Sequence, residues 1–235
     1  MSHHLNLTSV IIPVFNGESF IRQAVESIFS QAQGSFEIII VDDGSSDRTA
    51  EIVQLLTPPD SATTIHYVFQ TNQGPAAARN VGIRMGCGEF LAFLDADDIW
   101  VHNKISLQQR AFEGTSSEIF FVWGYLQQFE ICDGIKIEHG NPHHEHNLGS
   151  ILFRYTAFEK NGLFDESLRW GEDHDWLIRA KENKLGHMLQ SETVLFYRRH
   201  ANNSWLGQPG AERALLDVVR RRLLRSRVPM AGTPE

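Results

Sequence analysis

An α/β fold, with a mostly parallel sheet flanked by helices, is predicted by three features of this chain. Short apolar runs alternate with segments of helical period through its first half. Two of those runs, Phe36–Val41 and Phe90–Leu94, are apolar almost throughout, the pattern of strands covered on both faces. The runs also end in polar or acidic turns: Asn16-Gly17, Asp42-Asp43-Gly44 and Asp95-Ala96-Asp97-Asp98. Right-handed strand–helix–strand crossovers would gather these turns along one rim, where ligands of such sheets bind.

In chain order, the β-branched run Ser9–Val14 reads as the first strand. Between Glu18 and Gln31, Phe20, Ile21, Ala24, Val25 and Ile28 fall on one helical face, and Gly34 offers a cap. Phe36–Val41 is the second strand, followed by a turn rich in capping side chains and a short helix over Thr49–Leu56 that Pro58-Pro59 closes off. Ile65–Phe69 is the third strand. Gly74-Pro75 opens a helix with proline in its first turn, where the missing N–H costs nothing, and Ala76-Ala77-Ala78 continues it. Phe90–Leu94 is the fourth strand.

The second half predicts a smaller, mixed portion. Glu118–Phe129 and Ile131–Ile137 read as paired strands with a turn near Asp133-Gly134, and Asn141–Asn147 as a His-rich loop. Phe158–Leu163 and Glu172–Asn183 read as helices, Val194–Tyr197 as a last strand, and Ala211–Arg227 as an amphipathic helix with several arginines. The expected organisation is one domain over 1–210, in halves of about 1–100 and about 101–210, followed by a helix and tail over 211–235.

With 235 residues and 42% hydrophobic content, one large domain is favoured over two small ones. The net charge of −8 argues against a nucleic-acid binder, since phosphate backbones demand a positive surface. Cys87 and Cys132 lack metal-finger spacing and read as free thiols. The N-terminus Met1–Leu5 lacks a signal pattern and no apolar run approaches spanning length, so a soluble, cytoplasmic protein is expected.

The strongest chemical clue is the acid turn after Leu94. Three carboxylates at a buried strand end repel one another and lose hydration, and a cation or a donor-rich ligand relieves both penalties. Oxygen ligands suit Mg²⁺ or Mn²⁺, whose common task is to hold a diphosphate.

Six segments in order resemble the family 2 glycosyltransferases, nucleotide-sugar enzymes of the GT-A fold with a Rossmann-like sheet. They are Ser9–Asn16, Val41–Asp47, Asn72–Asn80, Phe93–Asp98, Gly171–Trp176 and Tyr197–His200. The resemblance implies a metal-dependent, inverting transfer from a nucleotide-sugar donor, most often UDP-linked, to a saccharide or lipid-linked acceptor hydroxyl, with a role in polysaccharide or glycoconjugate synthesis. It implies Pro13, Val14, Asn16, Asp42, Asp43, Arg79, Asp95 and Ala96 around the nucleotide. Asp97 is implied as the metal ligand, with Asp95 on the ribose or a metal-bound water and His200 completing the shell. Asp98 supports the loop. Asp173 is implied as the general base with Glu172 as substitute, Arg198 or Arg199 on the diphosphate, and Trp170 against the acceptor sugar. Asn203, Ser204 and Trp205 would belong to a lid.

Alternatives stand beside several of these roles. Asp42 and Asp43 also suit helix-capping turn acids, Arg79 a solvated ion pair, and the acids after Gly171 ordinary partners of a helix dipole. The basic run at Arg198-Arg199 suits a surface cluster, and Trp170 suits core packing, as do Trp100, Trp123 and Trp176. His143-His144-Glu145-His146 lacks the helical spacing that aims two rings at one ion. The tail helix suits a domain cover, an oligomer contact or a peripheral membrane contact. Among other functions, a sugar-phosphate nucleotidyltransferase or a dinucleotide oxidoreductase would carry a glycine-rich loop after the first strand, where Pro13-Val14-Phe15-Asn16-Gly17 stands instead. A non-catalytic sugar-nucleotide-binding subunit is the remaining alternative.

Overall fold

The computed structural model describes residues 3–168, 170–200 and 211–227, with side chains of the last helix described over 216–225. The first half forms β1 (His4–Val14), α1 (Ile21–Phe29), β2 (Ser35–Asp42), α2 (Thr49–Gln54), β3 (Thr63–Phe69), α3 (Pro75–Met85) and β4 (Gly88–Phe93). Its strands are all parallel and lie in the order β3-β2-β1-β4. Register runs Val14 to Asp42 on one side of β1 and Ile11 to Phe93 on the other. Val10, Ile11 and Ile12 are fully buried because α1 covers one face and α3 the other. The α1 face expected from sequence is the one buried, with Ile21, Ala24, Val25 and Ile28 inside.

The second half adds β5 (Ile99–Trp100), α4 (Lys104–Phe112), β6 (Ile119–Cys132), β7 (Ile135–His143), β8 (Ile151–Arg154), α5 (Thr156–Asn161), α6 (Glu172–Glu182), β9 (Gly186–Arg198) and α7 (Ala211–Arg227). The sheet continues as β8-β6-β9-β5, with β7 beside β6. Antiparallel pairs β4·β8 and β6·β8 turn the sheet from its parallel half into its mixed half. The β6–β7 hairpin turns at Asp133-Gly134 with φ of 52° and 78°, the double left-handed geometry that favours Asp-Gly.

Several boundaries differ from the sequence expectation. Helix α1 stops at Phe29 with Ser30 as its cap, so Gly34 lies outside the helix end. Asn141–His143 belongs to β7, and only the remainder of the His-rich stretch is loop. Helix α4 carries no expected counterpart because polar residues share its inner face: Lys104 and Gln108, four residues apart, are fully buried beside Ile105 and Phe112, which interrupts the apolar period. Gln108 compensates by donating to Val122 and Ser150 carbonyls at 3.0 and 2.9 Å. Strands β5 and β8 are too short to stand out by periodicity. Trp100 and Trp176 are core residues, whereas Trp123 is only half-buried under the histidine loop.

Helix α7 packs on α6 and the segment before it: Val218 is buried near Gly171, Arg221 pairs with Asp165, and Arg225 pairs with Asp175 and Glu182 at 2.9 and 3.0 Å. Leu216, Val219, Leu223 and Leu224 are exposed on it. No helix among the described residues is long and apolar enough to cross a membrane. Cys87 and Cys132 are free; burial and the neighbouring Glu37 push the Cys87 thiol up, which keeps it unreactive.

Helix α3, which carries Arg79, sits close against β1. At Gly82 any Cβ would overlap Ile11 Cγ2. Gly82→Val is therefore expected to destabilise the protein by about 1–3 kcal/mol through overpacking, measured by chemical denaturation. An unchanged midpoint would contradict this contact.

Candidate active site

The strand order reverses between β1 and β4, so the carboxyl ends of those strands flank the crevice where α/β sheets bind ligands. Asn16, Asp42, Asp43 and the Asp95–Asp98 turn all sit at that edge, as expected. Their side chains are used in distinct ways.

Asn16 adopts a left-handed φ of 53°, donates its backbone N–H to Ser45 Oγ at 2.8 Å, and accepts from the Ser46 N–H at 2.8 Å through Oδ1. With Gly17 N–H donating to Thr49 Oγ1 at 2.8 Å, it laces the loop after β1 to the loop after β2. Asp42 is buried, accepting from Ser45 N–H and the Tyr67 hydroxyl, both at 2.7 Å. Asp43 is buried too, accepting from Gln70 Nε2 at 2.7 Å and from the backbone N–H groups of Gln73 and Gly74 at 2.8 Å. The Asp43 carboxylate thus shapes the loop that feeds α3, a role the sequence reading missed. A carboxylate has about four lone-pair sites, and these three bonds leave one. Pro13 and Ala96 are half-buried and Val14 buried beside these turns.

The three acids of the Asp95 turn are relieved separately. Asp95 Oδ1 accepts from Arg79 at 2.7 Å. Asp97 Oδ2 lies 2.9 Å from His200 Nε2, across about a hundred residues of chain. Pairing of β5 with β9, Ile99 opposite Phe196, brings these segments together. Asp98 is buried, accepting from the Arg198 N–H at 2.8 Å; burial, then its neighbours Asp97 and Asp95, push its carboxyl well up. Asp98 thus ties the turn to the end of β9.

Arg79 is 7% exposed and bridges two halves of the molecule. One guanidinium nitrogen meets Asp95 and the other meets Glu172 at the start of α6. Burial opposes its charge, but Asp95 and Glu172 more than offset this and hold it a stronger base than a free arginine. Asn80, the next residue, ties α3 to the segment before α6: its Nδ2 donates to Phe164 O at 2.9 Å and Glu166 Oε1 at 2.8 Å, and its Oδ1 accepts from Phe164 N–H at 3.0 Å. Asn80 closes one of the resembling segments, but its role was not read there, because its partners lie more than eighty residues away. Glu172 is buried against Arg79, and burial raises its carboxyl. Asp173 stays half-buried, with Oδ1 accepting from the His174 backbone N–H at 2.7 Å and facing its ring Nδ1 at 2.9 Å.

Two expected contacts need correction. Arg198 does not reach outward to a diphosphate: it is 4% exposed, donating to Asp97 O and Gln23 Oε1 at 2.7 Å, with its guanidinium over Phe20 and Phe129 at 5.0 and 4.7 Å. It buttresses the acid turn, while Arg199 is the exposed member of the pair. The three expected metal ligands also do not form one cluster, since Arg79 draws Asp95 away; no group of three metal-ligating side chains forms among the described residues. Asp97 with His200 still fits a hard divalent ion, because such ions take one or two protein ligands and complete their shell from substrate phosphates and water. Trp170 is half-buried before the Gly171 cap of α6. The lid residues Asn203, Ser204 and Trp205 lie outside the described residues.

Comparison with known proteins agrees with this architecture. A glycosyltransferase of Rickettsia felis is 34% identical over 195 residues, 78% of this chain and 32% of that protein, so the chain spans about a third of its length. The glycosyltransferase EpsJ of Bacillus subtilis is 28% identical over 225 residues, covering 84% of this chain and 62% of EpsJ. Among solved structures, S. aureus TarS in complex with UDP superimposes with a TM-score of 0.70 at 21% identity, over 95% of this chain and 67% of that one. The mannosyltransferase PcManGT of Pyrobaculum calidifontis, in complex with GDP-Man and Mn²⁺, gives 0.69 at 16% identity, over 95% and 66%. These likenesses establish the GT-A fold. The glycosyl transferase family 2 model matches residues 9–167, most of the sequence, and this chain belongs to that family.

Proposed function

We propose that this protein transfers one sugar from a nucleoside-diphosphate donor, UDP-linked, to a hydroxyl of a saccharide or lipid-linked acceptor, inverting the anomeric centre in a single displacement. The observation that carries the reading is the Arg79 bridge: one buried guanidinium pairs with Asp95 of the acid turn after β4 and with Glu172 at the start of α6, and so holds the two acidic segments side by side. The nucleotide-bound neighbours support a nucleotide donor at this edge, and the family supports sugar transfer.

The loops laced by Asn16, Asp42 and Asp43 bound the base and ribose, with the remaining acceptor site of Asp43 suited to a uracil N–H and Asp95 to a ribose hydroxyl. Asp97 and His200 would hold Mn²⁺ or Mg²⁺ together with the donor phosphates, and the ion supplies positive charge to the departing diphosphate. Arg199 adds a second cation at the same edge, and Arg198 fixes the Asp97 backbone beneath it. Asp173 takes the proton of the attacking acceptor hydroxyl. Its carboxyl is pushed up by burial but brought below the ordinary range by His174 and Arg79, so it is ionised and ready to accept near neutral pH. Glu172 carries a buried ion pair instead, which makes Asp173 the better-placed base.

Calorimetric titration of UDP is expected to show Mn²⁺-dependent affinity that Asp97→Ala lowers by at least about tenfold; full retention would remove Asp97 from the metal. Asp173→Asn is expected to bind UDP normally while losing roughly 10²–10⁴ in turnover, read as UDP release. Turnover near the wild-type rate would place the base elsewhere, and a product of unchanged anomeric configuration would overturn the single displacement. UDP binding with no release across a broad panel of donors and acceptors would favour a binding subunit.

A further inference from the structure

Asp173 does not stand alone in the cleft. The ring of His174 turns back beside it, with Nδ1 at 2.9 Å from Oδ1, while the His174 backbone N–H donates to the same oxygen at 2.7 Å. An ionised carboxylate only accepts, so the proton in the ring contact sits on Nδ1. Among the described residues no hydrogen bond reaches Asp173 Oδ2, and 23% of the side chain stays exposed. One oxygen is therefore fixed and the other faces solvent. The ring of His146, from the loop after β7, lies 4.7 Å from the His174 ring and 5.2 Å from Trp123. An adjacent-residue contact of this kind escapes any search for helical spacing, and the His-rich loop gains a location it lacked in the sequence.

We propose that His174 is the positioning residue for Asp173: it pins one carboxylate oxygen, presents the other to the acceptor hydroxyl, and sets the strength of the base by its own protonation, with His146 packed behind it. The inference rests on the reading of Asp173 as the base. In chemical terms, the acceptor oxygen bonds to the anomeric carbon as the bond from that carbon to the diphosphate oxygen breaks and the nucleoside diphosphate leaves; the acceptor's proton goes to Asp173 Oδ2, while His174 keeps its Nδ1 proton shared with Oδ1. When His174 gains a second proton, the pair becomes imidazolium–carboxylate, and Asp173 holds an incoming proton less well.

The charged and titratable groups around the pair are Glu172 beside it, Arg79 from α3, and His146 and Glu145 from the loop after β7. The bond to Asp173 holds His174 above its ordinary range against burial, which alone would lower it. Burial and the charge of His174 hold His146 below its own. Lowering the pH therefore charges His174 before His146. The two rings do not compete for one proton near neutrality, and the cation forms next to the base.

The coupling is reciprocal and testable without knowing the acceptor. With ¹³C-labelled aspartate and ¹⁵N-labelled histidine, NMR titration of the metal-free protein follows the Asp173 carboxyl and the His174 ring, assigned by their loss in Asp173→Asn and His174→Gln. The expected result is an Asp173 titration below the ordinary carboxylate range that moves upward in His174→Gln, and a His174 titration that moves downward in Asp173→Asn. His174→Asn provides a second variant should glutamine not fold, and retained UDP binding identifies folded protein. Titrations unchanged by either substitution would overturn the inference. If Asp173→Asn is inactive while both titrations stay put, the base reading survives and only this inference fails; if Asp173→Asn turns over normally, the base reading fails even where the coupling is seen.

Discussion

A single guanidinium, that of Arg79, holds the two halves of the site in register. Taking an arginine out of water costs several kcal/mol, and attraction to carboxylates offsets this only where geometry is good on both sides. Asp95 and Glu172 supply that geometry from segments 16 and 93 residues away in sequence. The Nε of Arg79 has no partner among the described residues, so the two carboxylate contacts carry the compensation. Asn80 repeats the connection with neutral hydrogen bonds to the segment before α6. Helix α3, seated on β1 through Gly82, thereby fixes where the acid turn after β4 and the start of α6 meet.

That constraint explains why the acid turn tolerates three carboxylates. Each has a different neighbour: Arg79 for Asp95, His200 for Asp97, and for Asp98 a backbone donor together with an upward shift toward its neutral form. Asp97 is left as the one whose partner is an imidazole, a ligand type that divalent ions also accept. Arg198 completes the arrangement from below by gripping the Asp97 carbonyl while stacked between two phenylalanines. The acidic edge is built from support inside the protein, with Asp98 buried and Asp95 and Asp97 both partly open to solvent.

Much of this was legible in the sequence, and the limits have physical causes. The parallel half was readable because β1, β2 and β4 are buried on both faces and end in polar turns, so strand and site signals coincide. Helix α4 was hidden because Lys104 and Gln108 share its inner face with Ile105 and Phe112, breaking the apolar stripe. The candidate residues at strand ends do share one sheet edge, but their side-chain engagements depend on contacts distant in sequence. Asp43 turned to its own loop, Arg198 turned inward, and Asp95 turned to Arg79, none of which local spacing encodes. The partnership of Asp173 with His174 is local, yet it went unread because an adjacent histidine carries no pattern.

The central claim is that Arg79 joins a metal-holding diphosphate edge and a separate base into one cleft. A crystal structure of the protein with UDP and Mn²⁺, using the anomalous signal of the ion, tests it most directly. The expected result is one Mn²⁺ peak beside the Asp97 carboxylate and the bound diphosphate, with the Asp95–Arg79–Glu172 bridge intact and the β-phosphate facing Asp173. A diphosphate bound away from Asp97, or a cleft in which Arg79 has released Glu172 and Asp173 has moved out of reach of the donor, would contradict it.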